Sequence, residues 1–445
     1  MPVLPENPET DVDTSFYLHA ELLPNIRHIT LYISSPANLG GQDVQPLITL
    51  SGSRQAVSLS LPKPFDHVTD TIKLPARVNE ASRRVLSTNR QGAANTADNG
   101  SHTRRREYSF RMQIDISDDS LPPKDALIDD FVPWTAADMS PSTRLRCRGC
   151  ENVILDTPER RADTRSEDTG PEGWTWKDLP SGNWAEMMDF WHCHKPDPPA
   201  GHDHANGEDP NAQTKGYGAA NQVVASSGTV LVDVATFLVS EADCRGLKKV
   251  QPSTEETAQK KEVSLNCANC NATIGTEDAV AQGWRLFKTS LSANISPPRT
   301  PQEPSPTTWE THPIETIVAA QLLELIERES ARRFVIHCGR PNGLLLWVFN
   351  PDFRYSSSTA EHSVSSQRAM KVFFQEVGDV DGILNPKPSS GGGRASSLSL
   401  EEVRVPGSVY DAVAGDLKAR NEMLPASARE FREWRVGVLH RFERM

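Results

Sequence analysis

Five short stretches in the first quarter of the chain alternate apolar and polar side chains with a period near two: Phe16 to Leu23, His28 to Ile33, Leu47 to Leu50, Val57 to Leu61 and Phe110 to Ile116. In the last of these, Phe110, Met112, Ile114 and Ile116 share one face, and Arg111, Gln113 and Asp115 share the other. That is the pattern of a half-buried strand. Residues 15–116 are therefore expected to form a sandwich or an open barrel. The tract from Ser87 to Arg106, rich in Asn, Ser, Thr and basic residues, reads as a loop or disordered insertion.

The middle of the chain is cut by polar stretches at 156–173, 195–215 and 251–262. Between them stand two strand signals, Thr229 to Val239 and Trp284 to Lys288. Five prolines within 296–308 mark a linker. Pro313 then opens a helix in which Ile314, Ile317, Val318, Leu322, Leu325 and Ile326 recur at helical spacing. Phe334 to His337, Leu344 to Phe349 and Met370 to Phe374 follow as strands. Leu344 to Phe349 is apolar throughout, as in a central strand buried on both faces. Residues 387–397 read as a flexible insertion, and a helix from Val409 to Met423 and a strand from Trp434 to His440 complete the pattern. No internal repeat is read.

Composition narrows the function. The 445 residues carry 47 Lys and Arg against 59 Asp and Glu, a formal charge of −12. An acidic chain is poorly suited to holding a phosphate backbone, so protein partners are expected rather than nucleic acid. No run approaches the ~20 apolar residues that span a bilayer, and the start of the chain lacks the basic-then-apolar pattern of a signal peptide. The expected location is cytoplasm and nucleus. In a reducing compartment, seven cysteines point to metal rather than disulfides.

Four of those cysteines form two Cys-x-x-Cys pairs, Cys147/Cys150 and Cys267/Cys270. Two intervening residues let one tight turn aim both sulfurs at one ion, and two such knuckles complete a tetrahedral thiolate shell for zinc. A zinc ribbon has ~15–20 residues between its pairs. Here 116 intervene, so the site is expected to be a long-range structural clamp. Two unrelated knuckles, or simply buried thiols, are the other reading. The fold expected is α+β and β-rich: a β-sandwich-like N-terminal region over 1–120, a zinc-clamped middle over 121–295, and an α/β region over 296–445.

The segment Leu179 to Pro198 is unusual. Ser181 is placed to cap a short helix. Trp184, Met187, Met188 and Trp191 then form one apolar stripe, and His192-Cys193-His194 stands at the helix end before Pro196 and Pro198. From residue types alone, Trp184 and Trp191 read as core. A second zinc site using His192, Cys193 and His194 with His202 or His204 is a further reading.

Taken in order, the motifs resemble a known family. They are Cys150-Glu151-Asn152-Val153-Ile154-Leu155, Leu-Pro-Ser-x-Asn-Trp at 179–184, Trp-x-Cys-His-x-Pro-Asp-Pro at 191–198, the second Cys-x-x-Cys followed by Ile274-Gly275, the run 344–350, and Leu424-Pro425-Ala426-Ser427. This order is similar to that of the HECT-like ubiquitin-conjugating-enzyme-binding proteins, including fungal members with polar insertions.

The resemblance implies binding of a ubiquitin-conjugating enzyme, ubiquitin-protein ligase activity and cyclin-type substrates. It also implies a link to the zinc-dependent endonuclease of pre-mRNA 3′-end cleavage. For that partner it implies docking through Cys193 and His194 with Trp184 and Trp191 as anchors, so that a non-catalytic chaperone or inhibitor of the nuclease is the alternative function. For the conjugating enzyme it implies a contact around 300–323, including Trp309, Pro313, Ile317 and Val318. An ordinary amphipathic core helix is the competing reading there.

No catalytic cysteine is identified. A thioester-forming ligase needs an activated thiol, and with four cysteines on zinc only Cys193, Cys244 and Cys338 remain. Cys244 is flanked by acids, Cys338 lies in a turn-forming Cys-Gly-Arg-Pro-Asn-Gly, and the last 107 residues contain none.

Overall fold

A computed structural model describes residues 15–39, 42–88, 95–97, 105–115, 131–157, 173–179, 223–251, 263–295, 308–358, 365–385 and 400–444. The chain forms two compact units. One joins residues 1–126 to 332–443, and the other is 127–331 with the last two residues. The three sequence segments thus fold as two units, and the helix after the linker belongs with the cysteine-rich middle.

The first unit is organised by a ten-stranded sheet. Its spine is Gly343–Ser357, a 15-residue strand flanked along one side by Gln367–Val377. On its other side the first half pairs with Arg333–His337 and the last residues pair with Tyr17–Leu23. Register slips between Val348 and Phe353 accommodate Pro351, which has no N–H for the ladder. The N-terminal strand thereby sits between His28–Pro36 and the C-terminal half of the chain.

Alternation sorts the side chains. Leu18, Ala20 and Leu22 face one side with Ile29, Leu31, Phe110 and Met112. A three-stranded sheet (Leu47–Leu50, Ala56–Ser60, Thr69–Lys73) buries Ile48, Val57, Leu59 and Ile72 in the same cluster, giving the expected sandwich. The short helix α1 (Ala81–Thr88) adds Leu86.

The opposite side of the sheet carries a buried polar group. Both carboxylate oxygens of Glu21 accept from Lys371 Nζ at 2.8 Å, and His19 Nε2 lies 3.2 Å from Oε1. Burial alone would push the Glu21 carboxyl up, but Lys371 and His19 outweigh it and hold it down to about 2.

The second unit contains the strands around the cysteines, in sheets of seven and four strands. It also contains α2 (Ile314–Glu329), whose Ala319, Ala320 and Leu322 are buried. The Thr229 to Val239 signal resolves into two strands, Thr229–Val232 and Thr236–Val239, joined by a tight turn at Asp233. In the first unit, α3 (Val380–Leu384) is capped by the Asp379 carboxylate accepting from Gly382 N–H at 2.9 Å. There α4 (Gly407–Met423) packs along Trp434–His440, and Leu417 lies against Gly437, where a Cβ would come within 2.6 Å. No described helix is long and apolar enough to cross a membrane.

One strand differs from its expected burial. Leu344, Leu346 and Val348 are fully buried, whereas Leu345 and Trp347 are half-buried and Phe349 is 52% exposed. The run is central in its hydrogen bonding, yet only one of its faces lies in the core.

Candidate metal centre

Each Cys-x-x-Cys pair caps a β-hairpin, and the two hairpins are built alike. Arg144–Cys147 pairs with Val153–Leu155, and Ser264–Cys267 with Thr273–Asp278. Both ladders carry an irregularity directly after a fully buried leucine, Leu145 or Leu265. In both, the first cysteine's N–H donates at 2.8 Å to the carbonyl five residues on, Asn152 or Ala272. In both, the residue after the second cysteine is left-handed, Glu151 at φ 63° and Asn271 at φ 62°. The shared pattern Leu-x-Cys-x-x-Cys-x-x-x-Ile (145–154 and 265–274) is a local repeat that periodicity did not disclose. Only four of its ten positions are the same residue, the rest being free to diverge wherever the turn alone is needed.

The hairpins bring four sulfurs together. Cys147 Sγ lies 3.6 Å from Cys270 Sγ, and Cys150 Sγ lies 3.5 Å from Cys267 Sγ. All four ligand atoms fall within 4.8 Å of one another. A disulfide would need about 2.05 Å, and the four are free thiols. A tetrahedron with metal–sulfur bonds of about 2.3 Å has edges of about 3.8 Å, so the spacing suits a four-thiolate site. The cysteines drawn together across 116 residues can hold one metal ion between them.

The surroundings favour anionic sulfur at some positions and oppose it at others. The Asn152 N–H holds the Cys150 thiol down to about 6, whereas burial pushes Cys147 up to about 12. A cation at the centre removes that burial penalty by pairing the charge. Asn152 also ties the two hairpins. Its Nδ2 donates to Gly246 O at 3.0 Å and lies 3.5 Å from Cys267 Sγ. Gly246, at φ +61°, leaves the space: a Cβ there would meet that nitrogen at 2.3 Å. The first knuckle's Arg148 donates to His312 O at 2.9 Å, next to the start of α2.

Behind the hairpins a core of Leu145, Ile154, Leu265, Ile274, Trp284 and Leu291 surrounds Cys147 and Cys267. Lys288, 1% exposed, is inserted into this unit with its Nζ donating to the carbonyls of Pro133 and Trp134 at 2.9 and 3.0 Å. Burial pushes its ammonium down to about 7. Lys288 carries no motif that marks it in the sequence, and Asn152, although it stands in the Cys150–Leu155 motif, gives no sign there of its bond to the second hairpin.

The residues implied for partner binding divide. Trp309 is half-buried and opens Trp309–Glu310, which pairs with Leu291–Asn294 in the sheet that also holds Arg144–Cys147. The guanidinium of Arg146 lies 4.2 Å from the centre of its ring. Pro313 is exposed. Ile317 and Val318 are 1% and 2% exposed and belong to the core side of α2. Trp184, Trp191, Cys193 and His194 lie outside the described residues, as do His192, His202 and His204.

The remaining described thiols are poorly placed for nucleophilic chemistry. Burial pushes Cys244 up to about 12, and Asp243 and Glu241 add to the effect. Beside Cys338, His337 has both ring nitrogens engaged: Nδ1 accepts from Gly339 N–H at 3.2 Å and Nε2 lies 2.8 Å from Glu402 Oε1. It therefore offers the thiol no free base.

Residues 21–436 match the family described as HECT-like ubiquitin-conjugating enzyme (E2)-binding. The chain belongs to that family, whose description makes a ubiquitin-conjugating enzyme the implied partner. An uncharacterised protein of Schizosaccharomyces pombe is 25% identical over 337 residues, 73% of this chain and 82% of that protein. An uncharacterised protein of Saccharomyces cerevisiae is 25% identical over 262 residues, 58% of this chain and 62% of that protein. No solved structure matches.

Proposed function

We propose that the protein is a ubiquitin-protein ligase of the recruiting kind: it binds a charged ubiquitin-conjugating enzyme and promotes transfer to a substrate without carrying ubiquitin itself. The family match supports the partner. The thiol environments support the absence of a thioester. Among the described residues, the four hairpin cysteines are positioned as metal ligands, Cys244 is half-buried with its pKa raised, and His337 is already hydrogen-bonded. The ion is zinc in this reading, because an all-thiolate tetrahedron suits it and leaves no position open for water. The metal then shapes the surface and takes no part in chemistry.

The contact is assigned to Trp309 and Pro313, the accessible members of the implied set, beside the first knuckle. Ubiquitination assays run with and without reductant test the proposal. The expected result is ubiquitin chains or substrate adducts with no reducible ubiquitin on this chain, and Trp309→Ala weakening conjugating-enzyme binding by roughly tenfold, the scale of an aromatic anchor. A reducible adduct that disappears in Cys193→Ala, Cys244→Ala or Cys338→Ala overturns the thioester-free mechanism. Unchanged binding by Trp309→Ala overturns the contact.

A further inference from the structure

Five aromatic rings form a continuous patch on one face of the ten-stranded sheet, far in sequence from the four hairpin cysteines. Phe373 is the hub, with ring centres 5.0 Å from Phe431, 5.1 Å from Phe349 and 5.3 Å from Trp347. Trp434 joins through Trp347 at 6.3 Å. Phe373 and Trp434 are 4% and 9% exposed, while Phe349 and Phe431 are 52% and 44% exposed. The outer rings are thus presented to solvent on a rigid, buried base.

Two guanidinium groups stack on this patch, Arg333 over Trp347 at 5.7 Å and Arg432 over Phe431 at 5.6 Å. Neither has a carboxylate partner among the described residues, although Arg354, Arg368 and Arg441 in the same unit all do. At the patch, Glu433 accepts from the Trp434 indole N–H at 3.1 Å. Glu430 pairs in register with Arg435, on the other side of the strand from Phe431.

We propose that this patch docks an acidic segment of a partner protein carrying one or two large apolar side chains. The rings take the apolar anchor, and the unpaired arginines take the flanking carboxylates. Exposed aromatics with arginine at the rim are the composition of interface hot spots. A second copy of this chain fits less well, because a two-fold contact here gathers like guanidinium charges. Single-stranded nucleic acid also stacks on aromatics. It carries a phosphate at every nucleotide, and two cations match the carboxylates that flank one anchor better than such a continuous backbone. The patch and Trp309 belong to different units of the chain.

The test uses the full chain and an array of labelled peptides with a central Trp, Phe or Leu flanked by Asp and Glu, matched peptides flanked by Lys, and oligo(dT). Acidic peptides are expected to bind roughly tenfold or more tighter than their Lys counterparts. Phe349→Ser and Phe431→Ser should each abolish binding without lowering Tm, because both rings are exposed. Arg333→Gln combined with Arg432→Gln should weaken binding severalfold and flatten its salt dependence. Any of four outcomes overturns the proposal: no acidic peptide binds, both charge classes bind equally, oligo(dT) binds in preference, or the patch proves to drive self-association that Phe349→Ser removes.

Discussion

The two units reach stability by different routes. The unit of residues 127–331 is assembled from short local hairpins whose common junction is the cysteine cluster, with Cys147 and Cys267 inside its core. The other unit is made by pairing strands far apart in sequence, Tyr17–Leu23 against Gly343–Ser357, and its core cluster holds no cysteine among the described residues. Its one conspicuous polar device is the buried Glu21–Lys371 pair. Short hairpins can therefore be held by an ion, whereas a wide sheet rests mainly on apolar area, with the Glu21–Lys371 pair buried on its other side. The two should fail under different insults.

Metal removal should separate them most sharply. Structural zinc contributes on the order of 10 kcal/mol to small domains. Chelation, or Cys150→Ser with Cys267→Ser, is expected to release one zinc per chain and unfold the cysteine unit. Hydrogen exchange should then rise in Arg144–Cys147 and Ser264–Cys267 while Tyr17–Leu23 stays protected. Equal loss in both units would erase the contrast.

The buried pair should give the next effect. Lys371→Ala leaves the buried Glu21 carboxylate with only His19 beside it, and breaking such a pair costs about 3–5 kcal/mol. Denaturant unfolding should show that loss in the ten-stranded sheet. Because the folded Glu21 carboxyl is held down to about 2, its contribution is present above pH ~4.5 and declines as pH falls towards 2. Glu21→Gln should remove that acid-side slope.

Lys288 carries the comparison to the cysteine unit. Its ammonium is pushed down to about 7 from 10.5, so between those values the unfolded chain binds more protons than the folded one. Stability of the cysteine unit should rise with pH there, by at most ~1.4 kcal/mol per pH unit. Lys288→Met, assayed with the metal bound, should flatten the rise. A slope unchanged by the substitution would assign it to another group.

The smallest effect expected is from Asn152→Ala. Losing an outer hydrogen bond to a metal ligand typically costs about 10–100-fold in metal affinity. Competition with a chelator should show weaker zinc retention with the fold intact.

Much of this was legible in the residues. The alternation in Phe110 to Ile114 marks the same buried face that holds Leu31 and Ile29, and the cysteine spacing foretold that the four thiols gather. What escaped is non-local. Nothing near Tyr17 names Gly343–Ser357 as its neighbour, because a ladder's partner is chosen by global packing rather than by local pattern. The likeness of the two hairpins was hidden because Arg148-Gly149 and Ala268-Asn269 serve the same turn with different residues. The apolar run Leu344 to Phe349 misled for a related reason: hydrophobicity on both faces was read as burial, while Trp347 and Phe349 form a surface. The Trp184–His194 segment was legible only as a motif.

The pairing of strands so far apart in sequence has a consequence during synthesis. The strands of residues 17–36 leave the ribosome long before the spine strand exists, and the roughly 200 residues of the other unit are made in between. At 5–20 residues per second that interval is on the order of ten to forty seconds. The cysteine unit can fold and load its ion in that time, while Leu18, Leu22, Ile29 and Leu31 can share only the partial core that Leu47–Lys73 and Phe110 supply. Chaperone demand should therefore fall on the first strands made, although they belong to the last unit finished.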